Sequence, residues 1–221
     1  MNYETYRGVF NADINAGATP YGEWDMPLMC CVDAIPPSLV PYDRINREVD
    51  HDKWVHFCIH DARFMSLWRN PWNQLPRLQC FKGCIAPDFS MFWTYPRYMQ
   101  LEAVCRSRAI GAWMQRNGCV GVPFLRWGLK NTYVFSFSAV EPEGTIAVGT
   151  IGCFGNRETR KVFEDGFGPM REIVRPKRVL VIGSDRSGVF DEARQDGVDI
   201  ISYEGETARY YREKGARNGI G

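Results

Sequence analysis

The stretch 178-RVLVIGSDRSGVFDEARQDGVDIISYEGET-207 decides the fold class of this chain. It begins with an uninterrupted apolar run of branched residues at 179–182, which is typical of a strand buried on both faces of a parallel sheet. A helical pattern follows, with Val189, Phe190 and Ala193 on one side, and it ends at Gly197. A second apolar strand is predicted at 198–203. The stretch therefore predicts a β-α-β unit, the repeating element of α/β proteins.

The same alternation of strand and helix recurs earlier in the chain. Further strands are predicted at 28–33, 54–59, 81–86, 119–125, 133–140 and 145–151. Helices are predicted around 63–68, along the stripe Leu101, Val104, Cys105, Ala109 and Ala112, and across 162–174 with a break at 166–169. The prolines at 36–41 permit a short helix at most, and those after residue 70 mark a turn. This pattern predicts an α/β fold with a mostly parallel sheet and alternating helices, as a compact or irregular (β/α) barrel or, alternatively, an open doubly wound sheet.

Composition narrows the class of protein. The chain has 221 residues, of which 45% are hydrophobic and 24% charged, as in ordinary globular proteins. We predict an irregular N-terminal arm at 1–27 and a single α/β domain at 28–221. The formal net charge of +1 excludes the global basic excess of a strong, nonspecific nucleic-acid binder.

No signal-peptide core or membrane-length apolar run is present, so we expect the chain in the cytoplasm, without a membrane partner and with reduced cysteines.

Polar side chains follow the carboxyl ends of the predicted strands. They are His60, Asp61, Asp88, Ser90, Arg126, Thr150, Ser184 and Glu204. In a parallel α/β fold these strand ends converge on one face, where ligands bind. An acidic or hydroxyl side chain at such a position also commonly caps the next helix, and that alternative stays open for Asp88 and Ser184. We expect no cap from His60, Asp61 or Arg126.

These residue types predict a site for a phosphate-bearing small molecule such as a nucleotide. Asp61 and Asp88, together with His60, are the candidate catalytic residues, because paired carboxylates supply a general base and acid or hold a divalent ion. Arg126 is expected to bind the anionic group of the substrate. Ser184 and the neighbouring amides, expected at the start of a helix, suit a phosphate. The remaining candidate substrate-binding residues are Ser90, Thr150 and Glu204.

Spacing argues against a metal site and against common cofactor motifs. His56, Cys58 and His60 alternate along a predicted strand, with steps of about 6 to 7 Å, which is too wide for one zinc ion with bonds of roughly 2 Å. Residues 183–188 contain neither the dinucleotide-binding fingerprint nor a Walker lysine. We therefore assign no metal ligands, and the sequence leaves the cofactor unknown. Cys153 is either a nucleophile or, as we expect, a buried and inert thiol.

A basic segment offers an alternative function. Residues 97–130 hold six basic residues and one acid. Arg106, Arg108 and Arg116, lying among Trp113 and Trp127, predict phosphate contacts and stacking with single-stranded nucleic acid. The alternative interpretation is that the basic residues form a solvated helix face and that the aromatic residues belong to the core. Under the alternative function the protein is a non-catalytic binder of nucleic acid or of a host-defence component.

Four short motifs carry a resemblance to a known family. They are VHF at 55–57, PDFS at 87–90, VP at 122–123 with RW at 126–127, and VGTIGC at 148–153. With them the chain resembles the domain-of-unknown-function family numbered 4417, whose members occur in phages, plasmids and other bacterial mobile elements. The resemblance implies a phage or mobile-element origin, and it carries over no activity and no catalytic residue.

Overall fold

The computed structural model describes residues 11–205, which form an α/β fold. The strands are β1 (Pro20–Tyr21), β2 (Met26–Pro27), β3 (Leu39–Pro41), β4 (Trp54–His56), β5 (Gly83–Ile85), β6 (Gly121–Val122), β7 (Phe124–Leu125), β8 (Thr145–Gly149), β9 (Arg178–Ile182) and β10 (Asp199–Tyr203). The α-helices are α1 (Met65–Arg69), α2 (Pro71–Leu78), α3 (Arg97–Arg116), α4 (Tyr133–Ser136), α5 (Arg157–Val174) and α6 (Asp191–Gln195). None of these helices has the length and apolar character needed to cross a membrane.

The β-α-β unit predicted from the opening stretch is confirmed. β9 and β10 pair in parallel, from Arg178 opposite Asp199 to Ile182 opposite Tyr203. The short helix α6 lies between them, and Gly197 follows it with a left-handed φ of 83°. Glycine adopts this conformation without a steric penalty, so the chain can turn sharply into the next strand.

Two parallel sheets meet at Pro123. The first sheet has the order β3-β4-β5-β6 and the second β7-β8-β9-β10. Pro123 separates β6 from β7 because it has no N–H to donate to a ladder. The carbonyl of Val122 accepts from the amide of Ala86, and the carbonyl of Pro123 accepts from the amide of Ala147, each at 2.8 Å. One extended segment thus pairs with the first sheet and then with the second.

The parallel α/β prediction is confirmed, but closure into a barrel is not observed. All six neighbouring pairs within the two parallel sheets follow the order of the chain, without the reversal that marks a doubly wound sheet. Within residues 11–205, no ladder joins β3 to β10. The nearest link is the hydroxyl of Tyr203, which donates to the carbonyl of Pro36 at 2.6 Å. The barrel therefore stays a prediction.

Alternate residues of each strand face different apolar clusters. In β9, Val179 and Val181 pack with α5 and α6, whereas Leu180 and Ile182 join a cluster that also contains Trp54 of the first sheet. That second cluster includes residues of both sheets and of the 28–36 segment. Helices α1 to α3 cover the other face of the first sheet. Both faces of β9 are therefore buried, as its apolar run predicted.

Several predicted elements are wrong in detail. The strand predicted at 28–33 is only a single parallel bridge between Met29 and Val140. The segment predicted as a strand at 133–140 begins as the helix α4, and its alternating apolar residues Phe135 and Phe137 are buried. The break predicted at 166–169 is absent, since α5 continues through Pro169. Packing of Gly166 against the indole of Trp127 supports the helix across these weak helix formers.

Two elements were missed because of their prolines. β3 contains Pro41, yet it lies at the edge of its sheet, where an absent N–H is tolerated. α2 begins with Pro71, which occupies the first turn, where the proline N–H would have no helical partner. Pro41 therefore lies within an edge strand and Pro71 begins a helix, whereas the sequence pattern predicts that both prolines interrupt regular structure.

Candidate functional site

A cleft opens where β5, β7 and β8 end. Its walls include Asp88, Ser90, Phe92, Arg126, Gly149 and Ile151, and its volume is about 200 Å³. A second hollow of about 150 Å³ shares several of these residues and extends to Trp93, Trp127, Thr159 and Phe163. We call the combined space the Arg126 cleft. It lies at the face where the sequence predicted a ligand site.

A buried ion pair forms the floor of the Arg126 cleft. Asp88 follows β5 and Arg126 follows β7, so neighbouring strands place them side by side. Arg126 donates from Nε to Asp88 Oδ1 at 2.5 Å and from Nη2 to Oδ2 at 2.6 Å. Burial raises the pKa of the Asp88 carboxyl, and Arg126 opposes that rise. Burial alone would lower the pKa of Arg126, but the Asp88 carboxylate raises it above its ordinary value, so the guanidinium stays charged.

Small and sulfur-containing residues surround this ion pair. A Cβ at Gly149 would lie 3.3 Å from Nη2 of Arg126 and 3.1 Å from Cζ of Phe124, so glycine leaves room for the guanidinium. Burial and the charge of Asp88 hold the pKa of the Cys58 thiol well above its ordinary value, and this thiol is hydrogen-bonded to Asp88. Burial also raises the pKa of Cys153, although Arg126 lowers it. Cys153 is therefore mostly a neutral thiol, the state in which cysteine is a poor nucleophile.

Asp61 and His60 order the chain at the mouth of the cleft. The Asp61 carboxylate accepts from the Ser90 hydroxyl at 2.7 Å and from the Ser90 amide at 3.1 Å. The exposed His60 caps the short 3-10 helix Asp61–Arg63, since its Nδ1 accepts from the amide of Ala62 at 3.3 Å. Our expectation that His60 has no capping role was wrong. Asp61, Ser90, Asp88 and Arg126 are thus brought together.

The later strand ends form a second group. Thr150 is buried, and its hydroxyl donates to the carbonyl of Ser184 at 2.9 Å. Ser184 is exposed but does not begin a helix, because turns occupy the chain until α6 starts at Asp191. The prediction of a helix start at Ser184 is therefore wrong. Glu204 is exposed at the end of β10, and the neighbouring Gly205 approaches Ile151 of the cleft wall.

Comparison with known proteins places the chain in a family. The family model described as "Domain of unknown function (DUF4417)" matches residues 19–204. The chain belongs to this family. The resemblance seen in the short motifs is confirmed, and the family match contains every residue of the Arg126 cleft.

Curated relatives of this DUF4417 chain are phage proteins. It is 30% identical over 129 residues to the "Gene 1 protein" of Mycobacterium phage D29, covering 58% of this chain and 48% of the relative. It is 29% identical over 132 residues to the "Gene 1 protein" of Mycobacterium phage L5, covering 60% of this chain and 58% of the relative. The chain thus spans about half the length of the curated relatives it matches. No solved structure gives a significant match.

The structure corrects the predicted basic stripe of the DUF4417 chain. Arg108 is only 1% exposed and donates to the backbone carbonyls of Phe124, Ser136 and Ser138. Arg106 pairs with Glu102, and Arg116 donates to the carbonyl of Ile14. Trp113 and Trp127 are buried, so neither offers a stacking surface. These side chains hold the protein together and do not form an exposed stripe for nucleic acid.

Sequence reasoning missed two parts of the cleft wall. One is the aromatic loop at 92–95, whose Phe92 and Trp93 line the cleft. The other is the start of α5, where the Asn156 side chain caps the helix and Thr159 and Phe163 face the cleft. The usable signal was the run FWTY, since such a concentration of aromatic residues just after a strand end is unusual in a loop.

Metal-binding side chains are not clustered in the described chain. No group of three or more histidine, cysteine or acidic residues lies close enough to hold a metal ion within residues 11–205. His56 is buried, and its Nδ1 accepts from the amide of Cys58 at 3.3 Å. Burial lowers the pKa of His56 to about 4. His56 is therefore a neutral core residue at physiological pH.

Proposed function

We propose that the Arg126 cleft binds a small phosphate-bearing molecule of the nucleotide type, in the cytoplasm of the bacterial host. The observation that carries this proposal is the Asp88–Arg126 pair. Asp88 binds one edge of the guanidinium with both oxygens, while the remainder of the Arg126 side chain, 28% exposed, faces the cleft. A charged donor that is held in place before binding loses little entropy when it meets an anion.

The walls of the cleft suit the rest of a nucleotide. Phe92, Trp93 and Phe163 supply apolar and aromatic surface, while Ser90 and Thr159 supply hydroxyl groups. Ligand sites of this size are typically apolar with a few polar groups that fix the orientation of the ligand. A base against the aromatic wall and a phosphate at Arg126 would use both features.

The carboxylates support binding more directly than catalysis. Both oxygens of Asp88 are occupied by Arg126, so we assign Asp88 the role of positioning Arg126. His60 caps a 3-10 helix, and Asp61 binds Ser90. Asp61 is half-buried and adjoins the cleft through Ser90, so it is the carboxylate to which we assign the role of base, should a bound ligand react. Thr150, Ser184 and Glu204 would then extend the polar wall toward β10.

Calorimetric titration with nucleoside mono-, di- and triphosphates and with inorganic phosphate tests the proposal. We expect Arg126→Lys to weaken nucleotide binding by about tenfold to a hundredfold, because one lysine cannot replace a guanidinium held by two charged hydrogen bonds. Asp88→Asn should weaken it about tenfold through loss of the group that orients Arg126. Product analysis of the same mixtures with wild type and Asp61→Asn measures any turnover.

The matched control is Arg171→Lys. Arg171 also forms an ion pair with an aspartate, Asp196, but it joins α5 to α6 and lies outside the cleft. This variant should bind the nucleotide like wild type. Unchanged binding by a folded Arg126→Lys variant, or no binding of any of these phosphates by wild type, would show that the proposal is wrong.

A further inference from the structure

An exposed aromatic and basic surface continues from the Arg126 cleft. It consists of Phe92, Tyr95, Arg97, Tyr98 and Lys130, and we call it the aromatic rim. Phe92 is 54% exposed and Tyr98 is 70% exposed, although large aromatic side chains usually lie inside a protein. Phe92 also lines both parts of the cleft. The rim is therefore an extension of the cleft opening.

The loop that bears the rim is held in a defined shape. The rings of Phe92 and Tyr95 lie 4.9 Å apart, and the amide of Tyr95 donates to the carbonyl of Phe92 at 2.9 Å. The buried Gln100 donates from Nε2 to the carbonyl of Tyr95 at 2.7 Å and to that of Trp93 at 3.4 Å. Exposed rings on an ordered loop present a preformed stacking surface.

The charges of the rim favour an anionic partner. The rim and Arg126 lie on residues 89–101 and 124–140, which contain Arg97, Arg126 and Lys130 and no acidic residue, and the acidic partner of Arg126 is Asp88. Arg97 lies over the ring of Phe135, at 5.8 Å, so the two segments adjoin. Exposed aromatic rings beside basic groups are the combination that binds single-stranded nucleic acid, in which bases stack and phosphates pair with cations.

We infer that the ligand of the Arg126 cleft is a single-stranded nucleic acid, with one nucleotide in the cleft and the adjacent base stacked on the aromatic rim. This inference rests on the proposed function and names its ligand class. It uses a surface distinct from Arg106, Arg108 and Arg116, of which Arg108 is buried and the other two are bound to Glu102 and to the carbonyl of Ile14. A free mononucleotide would occupy the cleft and leave the rim unused.

Fluorescence anisotropy with labelled hexathymidylate and hexauridylate, competed by thymidine 5′-monophosphate, tests this inference. We expect the better hexanucleotide to bind at least tenfold more tightly than the mononucleotide, because one stacked base contributes roughly tenfold or more. The logarithm of the binding constant should fall with the logarithm of salt concentration with a slope of about −2, for three phosphates at roughly −0.7 each. Hexadeoxyuridylate, which differs from hexauridylate only in its sugar, then identifies the sugar that the surface accepts.

Substitutions distinguish base stacking from nonspecific hydrophobic binding. Tyr95→Leu combined with Tyr98→Leu keeps apolar surface but removes two flat rings that lie outside the cleft lining, and should reduce hexanucleotide binding about tenfold or more while leaving mononucleotide binding within twofold. Phe92→Trp should retain binding. Ile173→Ala is the control, since Ile173 is 55% exposed at the far end of α5 and lies outside the rim.

The outcomes distinguish this inference from the proposed function. Hexanucleotides that bind no more tightly than an Arg126-dependent mononucleotide would overturn the inference and leave the proposed function standing. Hexanucleotide binding that the double leucine variant leaves unchanged would likewise overturn it. If neither probe binds, both proposals are wrong.

Discussion

Asp88 and Arg126 lie 38 positions apart in the chain, and their meeting depends on strand pairing. That polar residues collect at the carboxyl ends of strands was predictable from the apolar runs that precede them. The partners of each residue were not, because a carboxylate after a strand looks the same whether it binds an arginine, as Asp88 does, or a serine, as Asp61 does. Residue type thus indicated a polar face, and only geometry assigned the roles.

The position of Arg108 in the sequence already indicates that its side chain could be buried. It lies four residues after Val104 and four before Ala112, on the same apolar stripe that predicted α3. A charged residue on that stripe is either exposed at the edge of the helix or buried with hydrogen-bond partners. A count of the charges along the segment does not distinguish these two cases. In the structure three backbone carbonyls bind Arg108, and burial lowers its pKa to about 10, so it remains charged at neutral pH.

The buried His56 predicts a pH-dependent stability. Its pKa is lowered to about 4 in the folded chain from the ordinary histidine value of 6.5, so the unfolded chain binds more protons between these pH values. Stability from neutral His56 is complete above pH 6.5 and is lost as the pH falls toward 4. At about 1.4 kcal/mol per pKa unit, the loss is about 3 kcal/mol.

Urea unfolding of wild type and His56→Asn at pH 7 and pH 4 measures this effect. Asparagine keeps an acceptor for the Cys58 amide but does not titrate. The free energy of unfolding should fall by about 3 kcal/mol less in the variant than in wild type, with the carboxylates common to both. An equal fall in both proteins would contradict the burial argument.

At the scale of the element, α5 offers two glycines in one helix with opposite surroundings. A Cβ at Gly166 would overlap the indole of Trp127, whereas a Cβ at Gly168 would meet nothing within 4 Å. We expect Gly166→Ala to destabilise the fold by about 1 to 3 kcal/mol through overpacking. Gly168→Ala should change stability by less than about 1 kcal/mol, because the gain in helix propensity is offset by crowding against Pro169.

Chemical denaturation of the two alanine variants gives the comparison. Because Trp127 also lines the Arg126 cleft, Gly166→Ala should additionally shift the tryptophan emission of the folded state, and Gly168→Ala should not. Equal stabilities for both variants would mean that the helix tolerates a side chain beneath Trp127.

Elements with a strong period were predictable, and elements shaped by neighbours were not. β9, β10 and α3 follow from runs and stripes within a single stretch of chain. Apolar and polar residues alternate at 133–140, and this alternation predicts a strand where the structure has α4. The pattern of a short segment does not show its tertiary contacts, and here Arg108 binds the carbonyls of Ser136 and Ser138. Prolines in the missed elements β3 and α2 likewise depend on edge and first-turn positions.

For the whole molecule, we propose that both sheets unfold as one unit, as expected for a single α/β domain. They share the extended segment around Pro123 and one apolar cluster that contains Trp54 and Leu180. Val55→Ala in β4 and Val181→Ala in β9 should each lower the free energy of unfolding by on the order of 2 kcal/mol. Each should shift the transitions seen by circular dichroism and by tryptophan fluorescence together, whereas two separate transitions would indicate independent halves.

The order of the strands also affects how the chain folds during translation. From β3 to β10 each strand lies beside the strand synthesised just before it. A chain emerging from the ribosome can therefore extend its sheet from one side in the order of translation, and no strand waits for a distant partner before it is covered. The bridge from Met29 to Val140 is an exception, because its two halves leave the ribosome far apart in time. The segment at 28–36 therefore joins its apolar cluster late, after the strands it covers have been made.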